Sequence, residues 1–192
     1  KKISSWLLLG TLVMCLFSCG EKKPDEKDIV KEPEQLADRI HKNLRELLDY
    51  AGNNQGLIND STIVSGIGTV KTVYDKNGYT AIWSSDGNWM PAGDSLFQFI
   101  KESKHYGLFP SDYNYKLLSA MHQRLAADTL ARKDAVVWSK ADVLLTDALL
   151  SISKHLKRGR LPLDSLSMTA DSALTEEYYL SIINEAVQSR QI

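Results

Sequence analysis

Two polar residues on the longest predicted helix are the first candidates for chemistry. Asp142 and Thr146 are four residues apart, so on a helix they share one face, next to an apolar stripe. A carboxylate in that position must be hydrogen-bonded or paired. It can serve as a general acid or base in a cleft, or it can join a neighbouring segment to the helix as a polar clasp. The clasp is favoured, because a glycosidase needs a second carboxylate and a sugar cleft, and the sequence indicates neither.

Aromatic residues form a second candidate group, clustered between residues 79 and 115. Trp83 and Trp89 are the largest of them. An exposed aromatic platform can stack on sugar rings, so these two tryptophans are possible glycan-stacking residues. The alternative is that the rings form the core of a small domain, which is the more frequent arrangement.

The remaining sequence offers no motif for a reactive centre. The four histidines are never three or four residues apart, and there is no His-Glu-x-x-His, no phosphate-binding glycine loop and no nucleophile elbow. Two cysteines cannot form a cysteine-type zinc site or a disulfide framework. The sequence therefore predicts no metal site and no cofactor.

Apolar periodicity predicts a mainly α fold that positions these residues. The pattern gives one helical domain over residues 35–163, one short β-hairpin, and a connection with a trailing helix over residues 164–192. The predicted helices lie at about 36–51, 61–76, 94–106, 110–125, 131–157 and 175–188. The hairpin is predicted from β-forming residues at 79–83, turn residues at 84–87 and a return at 88–90.

Composition excludes several classes of protein. The 192 residues are 43% hydrophobic and 24% charged, which is typical of a soluble globular domain and not of a disordered or multi-span membrane chain. The formal net charge of −1 provides no basic surface for nucleic acid. Composition alone says nothing further about function.

The first 34 residues predict export and membrane attachment. Lys1 and Lys2 precede an uncharged run that is too short to span a bilayer, which is typical of a signal peptide over residues 1–18. The sequence LFSCG at residues 16–20 resembles a bacterial lipobox, so Cys19 is the predicted lipidation site. The charged, proline-containing stretch that follows is predicted to be a flexible tether, giving a tether region of 19–34. We therefore expect a periplasmic lipoprotein of the cell envelope, anchored to a membrane.

Four segments in order resemble one family. They are YDKNGYTAIW at 74–83, GLFPSDY at 107–113, DVLLTDALL at 142–150 and GRLP at 159–162. Together they resemble the N-terminal scaffold region of large bacterial L,D-transpeptidases of the YkuD/ErfK class, in particular YcbB-like members. The resemblance covers about residues 60–190.

The resemblance implies peptidoglycan remodelling by a cysteine nucleophile. In that family the cysteine lies in a Ser-x-Gly-Cys-x-Arg motif and is activated by an upstream histidine, and its thiolate attacks the stem peptide. This sequence has no cysteine after Cys19, so no catalytic residue is carried over. We therefore expect an inactive scaffold portion whose partners are peptidoglycan and downstream catalytic and peptidoglycan-binding domains. The sequence is then expected to be either the N-terminal piece of a longer enzyme or a separate scaffold-only lipoprotein, and the absence of a helix cap at its end favours the first. The alternative is a glycan-binding lipoprotein without enzymatic activity.

Overall fold

A computed structural model describes residues 23–160 and 175–189 of the chain. The predicted signal peptide, Cys19 and the predicted connection between residue 163 and the trailing helix lie outside the described residues. The described part contains six α-helices and one two-stranded β-hairpin, so the predicted mainly α fold is confirmed. The elements are α1 Leu36–Asn53, α2 Ile67–Lys76, β1 Ser84–Ser85, β2 Asn88–Trp89, α3 Pro91–Glu102, α4 Tyr115–Ala127, α5 Ala135–Arg158 and α6 Glu176–Ser189.

Helix α5 is the centre of the molecule. It contacts α1, α2, α3, α4 and α6, and most of its residues up to Ile152 are buried. The sequence predicts a single apolar stripe, but the structure covers α5 on all sides. Trp138, Val143 and Leu150 lie outside that predicted stripe and are buried as well. The predicted stripe consists of Val137, Ala141, Leu144, Leu145, Ala148, Leu149, Ile152 and Leu156. Leu156 is nevertheless 56% exposed, because it lies in the last turn, beyond the buried part of the helix.

Several helix boundaries differ from the predicted ones. Helix α2 begins at Ile67 and not near residue 61, and α3 begins at Pro91, which is well suited to a first helical turn. The predicted helix from Pro110 is divided at Asn114, whose left-handed φ of 54° separates a short 3-10 helix from α4. Helix α5 begins only at Ala135, where Asp134 accepts a hydrogen bond from the second backbone N–H of the helix, at Val136.

The β-hairpin exists and its second strand lies within the predicted return, but its first strand lies a few residues later than predicted. Ser84 pairs with Trp89 and Ser85 pairs with Asn88 in an antiparallel register. The turn residues Asp86 and Gly87 have φ values of 52° and 70°, as a two-residue type I′ turn requires. Residues 79–83 form no strand, because the backbone N–H groups at their end bond to a side chain and not to a neighbouring strand.

The predicted tether is partly bound to the helical body. The backbone N–H of Val30 donates to Lys133 O at 2.9 Å, and that of Ala135 donates to Asp28 O at 2.8 Å. Val30 is 4% exposed, so the segment does bury an apolar side chain. The first N–H groups of a helix have no partner within the helix, and Asp28 supplies one for α5. Residues 28–30 are therefore part of the fold and not free spacer.

The helices of residues 23–160 and 175–189 are all too short or too polar to cross a lipid bilayer.

Candidate functional site

Asp142 binds the backbone of the segment that leads into the hairpin. Its carboxylate accepts hydrogen bonds from Ile82 N at 2.9 Å and from Trp83 N at 2.9 Å. The hydroxyl of Tyr74, from α2, donates to the same carboxylate at 2.5 Å. Asp142 is 1% exposed, so these bonds replace the water that an ionised carboxylate needs. Its side chain thus joins α5, α2 and the segment before β1.

Thr146 extends this network by one helical turn. The indole Nε1 of Trp83 donates to Thr146 Oγ1 at 2.9 Å, and the Thr146 hydroxyl lies 2.9 Å from the Tyr74 hydroxyl. Thr146 also lies 3.0 Å from the carbonyl of Asp142, which can accept its proton. The spacing of four residues places both polar side chains on the same face, as the sequence predicts. The two residues hold the backbone and the ring of Trp83 together.

The electrostatics of the clasp are set by burial. Burial raises the pKa of Asp142 to about 6, while the hydrogen bonds from Tyr74, Ile82 and Trp83 act in the opposite direction. Burial and the Asp142 charge raise the pKa of Tyr74 well above its usual value. Each protonation state keeps the network bonded. An ionised Asp142 accepts the Tyr74 proton, whereas a protonated Asp142 can donate to Tyr74, which then donates to Thr146.

The burial of Asp142 and Thr146 favours a structural clasp over a catalytic acid–base role. A general acid must reach the atom that it protonates. Asp142 and Thr146 are 1% and 0% exposed, so neither is accessible to a substrate in this conformation. The acid–base interpretation of Asp142 gains no support from its surroundings.

The two candidate stacking residues have different environments. Trp83 is 0% exposed, and its ring lies in the core. It therefore presents no face to a sugar, which corrects the expectation that it is available for stacking. Trp89 is half-buried, and its ring contacts His122 and Trp138 at centroid distances of 5.6 Å and 4.9 Å. Both tryptophans pack against other elements of this chain.

A second carboxylate on α5 has a similar role, which the sequence did not reveal. Asp147 accepts hydrogen bonds from Gly66 N at 2.8 Å and Ser65 N at 3.1 Å, at the start of α2. It is 4% exposed, and burial raises its pKa. In the sequence, the only indication of this role is the position of Asp147 next to Thr146 on the predicted long helix. A cap supplied from another helix has no local spacing by which it could be recognised.

A third carboxylate lies at the start of α5. Asp134 Oδ1 accepts from Val136 N at 3.2 Å and from Asp28 N at 3.0 Å. Asp134, Asp142 and Asp147 thus each bind the backbone of a different segment that is not helical at that point. Three segments outside the helices, at Asp28, at residues 82–83 and at residues 65–66, are therefore hydrogen-bonded to side chains of α5 or of its N-cap residue.

The segment at 107–113 and the start of the segment at 159–162 lie together at the C-terminal end of α5. The Tyr113 hydroxyl lies 2.8 Å from His155 Nδ1. Arg160 donates to Asp112 from Nε at 2.5 Å and from Nη2 at 3.3 Å, and its guanidinium lies over the ring of Phe109. Burial lowers the pKa of His155 and raises that of Tyr113 to about 12, and Arg160 lowers that of Asp112. The sequences at 107–113 and 159–160 therefore form one contact region.

No group of three or more His, Cys, Asp or Glu side chains within residues 23–160 and 175–189 could hold a metal ion. The described geometry thus consists of buried hydrogen-bond clasps around a central helix.

Comparison with known proteins gives one finding. A family model described as Scaffold domain matches residues 68–192, which is more than half of the chain. The matched region contains the clasp, the hairpin and all four segments named above. Neither the curated proteins nor the solved structures gave a match.

Proposed function

The chain belongs to the Scaffold domain family, and on this premise we propose that it is the non-catalytic scaffold portion of a lipid-anchored L,D-transpeptidase-type protein that remodels peptidoglycan. The observation that carries the proposal is the family match over residues 68–192, which includes every segment that resembles the L,D-transpeptidase scaffold.

The buried clasps support a positional role. Asp134, Asp142 and Asp147 fix three connecting segments to one helix, and such a body holds its surface groups in fixed relative positions. No cysteine follows Cys19 in the sequence, so the acyl-transferring thiol must come from a domain or partner outside residues 20–192. In this proposal the chain places that catalytic unit relative to peptidoglycan.

The proposal places the protein in the cell envelope. Cleavage after residue 18 and acylation of Cys19 would give a membrane-anchored lipoprotein with its body in the periplasm. Labelling of cells with a radioactive or clickable fatty acid tests this part. We expect incorporation into the wild-type chain and none into Cys19→Ala, whereas equal labelling of the two would contradict the anchor.

Two assays test the scaffold role. The purified chain is incubated with disaccharide-tetrapeptide muropeptides, and no cross-linked dimer is expected. An L,D-transpeptidase catalytic domain that carries the Ser-x-Gly-Cys-x-Arg motif but lacks its own scaffold is then added, and we expect this chain to bind it and increase dimer formation. Cross-linking by the chain alone contradicts the non-catalytic assignment, and absence of binding contradicts the scaffold role.

Glycan binding without catalysis is a second candidate, favoured by two other aromatic residues. Tyr106 and Phe109 are 60% and 47% exposed, unlike Trp83. Co-sedimentation with isolated sacculi tests this function. Retention that is lost in Tyr106→Ala and Phe109→Ala, with unchanged unfolding midpoints, supports it. Retention that is unaffected by both changes contradicts a stacking role for these rings.

A further inference from the structure

The segment before α1 follows the surface of the helical body from its first described residue. Lys23 Nζ donates to Asp60 Oδ1 at 2.7 Å, in the loop between α1 and α2. Pro24 and Asp25 then lie in the groove between α1 and α5, beside Lys140. We name residues 23–31 the strap.

The strap is held most firmly around Asp28. Its backbone N–H donates to Asp134 Oδ1 at 3.0 Å, its carbonyl accepts from Ala135 N at 2.8 Å, and its carboxylate accepts from Asn43 Nδ2 at 3.1 Å. Val30 follows with a buried side chain and a backbone bond to Lys133. The strap therefore supplies partners to the start of α5 that this helix lacks by itself.

This docking shortens the distance over which a membrane anchor could act. If residues 19–34 were all free, the chain from Cys19 to Glu34 could span roughly 50 Å, at about 3.3–3.6 Å per residue. With the strap docked, only the three residues 20–22 lie between the anchored Cys19 and Lys23, and the four steps from residue 19 to residue 23 span at most about 14 Å. The loop that contains Asp60 lies where the strap begins, at Lys23.

Resting on the proposed lipid anchor at Cys19, we infer that the strap holds the body directly against the bilayer that carries the anchor, with the loop of residues 57–63 nearest the lipid. The partner of this surface is a lipid headgroup layer. The loop has an exposed apolar side chain, Ile63, at 52% exposure, which suits an interfacial position. The far end of α5 lies well away, since Leu156 is 16 residues beyond Lys140 and therefore about 24 Å along the helix.

Single-cysteine labelling tests the inference, because the mature chain has no other free thiol when Cys19 is acylated. The full lipidated chain is placed in vesicles that contain a headgroup-linked quencher, with a fluorophore at Ser61→Cys or at Leu156→Cys. We expect the label at position 61 to be quenched at least threefold more strongly than the label at position 156. Equal quenching in the anchored protein overturns the inference.

A pair of adjacent strap variants provides the matched control. Val30→Asp places a charge in the buried position and should release the strap, so quenching at position 61 should fall toward the value at position 156. Ile29→Asp adds the same charge at a 37% exposed position and should leave quenching unchanged. Hydrogen exchange at the Ala135 amide reports release directly, and faster exchange is expected in Val30→Asp only. Release without a change in quenching overturns the inference.

The anchor itself is tested separately by acyl incorporation at Cys19. A chain that is not acylated contradicts the anchor of the proposed function and this inference together. A chain that is acylated but quenched equally at the two positions contradicts this inference alone.

Discussion

The carboxylate of Asp142 lies 2.9 Å from the backbone nitrogen of Trp83, although 59 residues separate them in sequence. This bond fixes the chain at the point where it leaves the left-handed residue Tyr79 and enters the hairpin. The segment has no neighbouring strand there, so a side chain of α5 accepts the hydrogen bonds that a sheet would otherwise accept. Stability of the fold should therefore depend strongly on Asp142.

Asp142→Ala should lower the free energy of unfolding by about 3–5 kcal/mol, because it leaves the buried backbone N–H groups of Ile82 and Trp83 without an acceptor and removes the bond from the Tyr74 hydroxyl. Asp142→Asn keeps one acceptor oxygen and should cost less. Urea unfolding followed by circular dichroism measures both. Glu46→Gln, which alters an exposed ion pair with Lys42, is the control and should change stability by less than about 0.5 kcal/mol. A loss below 1 kcal/mol in Asp142→Ala would show that the clasp is unimportant.

The raised pKa of Asp142 predicts an unusual dependence of stability on pH. Its folded pKa is about 6, above its ordinary value of 3.8. The stability that the protonation of Asp142 contributes to the fold is therefore fully present below pH 3.8 and is lost as the pH rises through 6. The difference of about two units corresponds to about 3 kcal/mol. Between pH 4 and pH 7, the free energy of unfolding of the wild-type protein should fall by this amount relative to that of Asp142→Asn.

The difference between the two proteins isolates this effect from other groups. Burial also raises the pKa of Asp147, which acts in the same direction, but Asp147 is present in both proteins. The pKa of His155 is lowered, so its contribution is present above its usual range and is lost as the pH falls. The lowered pKa of Asp112 changes stability only below pH 3.8, which is outside the range from pH 4 to pH 7. Parallel pH profiles of wild type and Asp142→Asn would contradict the assignment to Asp142.

The sequence predicts the helices well because each of them has its own apolar period. The stripe that begins at Leu36 follows helical spacing to Ala51, and the structure forms α1 over that stretch. Boundaries depend on other information. Asn114 interrupts the predicted fourth helix by adopting a left-handed conformation, and Pro91 begins α3 earlier than the polar residues Asp94 and Ser95 would indicate.

The candidate site shows where sequence reasoning reaches its limit. The spacing of Asp142 and Thr146 places them on one face and indicates a clasp, but it does not reveal which segment they hold. The strand-like composition of residues 79–83 predicts β structure, and the hydrogen bonds from Ile82 and Trp83 to Asp142 replace it. The strap around Asp28 is equally invisible in a local pattern, since its backbone partners Asp134 and Ala135 are more than 100 residues away in the sequence.

Thr146 provides a test of the side-chain half of the clasp. Thr146→Val keeps the shape but removes the hydroxyl, so Trp83 Nε1 and the Tyr74 hydroxyl lose a buried partner. We expect a loss of about 1–3 kcal/mol in the free energy of unfolding. Thr146→Ser retains the hydroxyl and loses only a methyl group, which should cost about 1 kcal/mol. If the serine variant is the less stable of the two, packing and not hydrogen bonding determines this position.

His122 joins the hairpin to two helices through its ring. It lies parallel to Phe97 of α3 at a centroid distance of 4.3 Å and to Trp89 of β2 at 5.6 Å, and its Nε2 is 3.1 Å from Asp94 Oδ1. His122→Ala removes both ring contacts and should cost about 1–3 kcal/mol. It should also change the near-ultraviolet circular dichroism signal of Trp89.

His122→Phe separates stacking from the polar contact. This change preserves an aromatic ring between Phe97 and Trp89 and removes only the bond to Asp94, which is 53% exposed on its side chain. An exposed contact of this kind contributes at most about 1 kcal/mol, so the variant should stay within that amount of wild type. Asp94→Asn should behave in the same way. If His122→Phe is as unstable as His122→Ala while Asp94→Asn is not, the phenyl ring does not fit the space of the imidazole, and the hairpin depends on that specific ring.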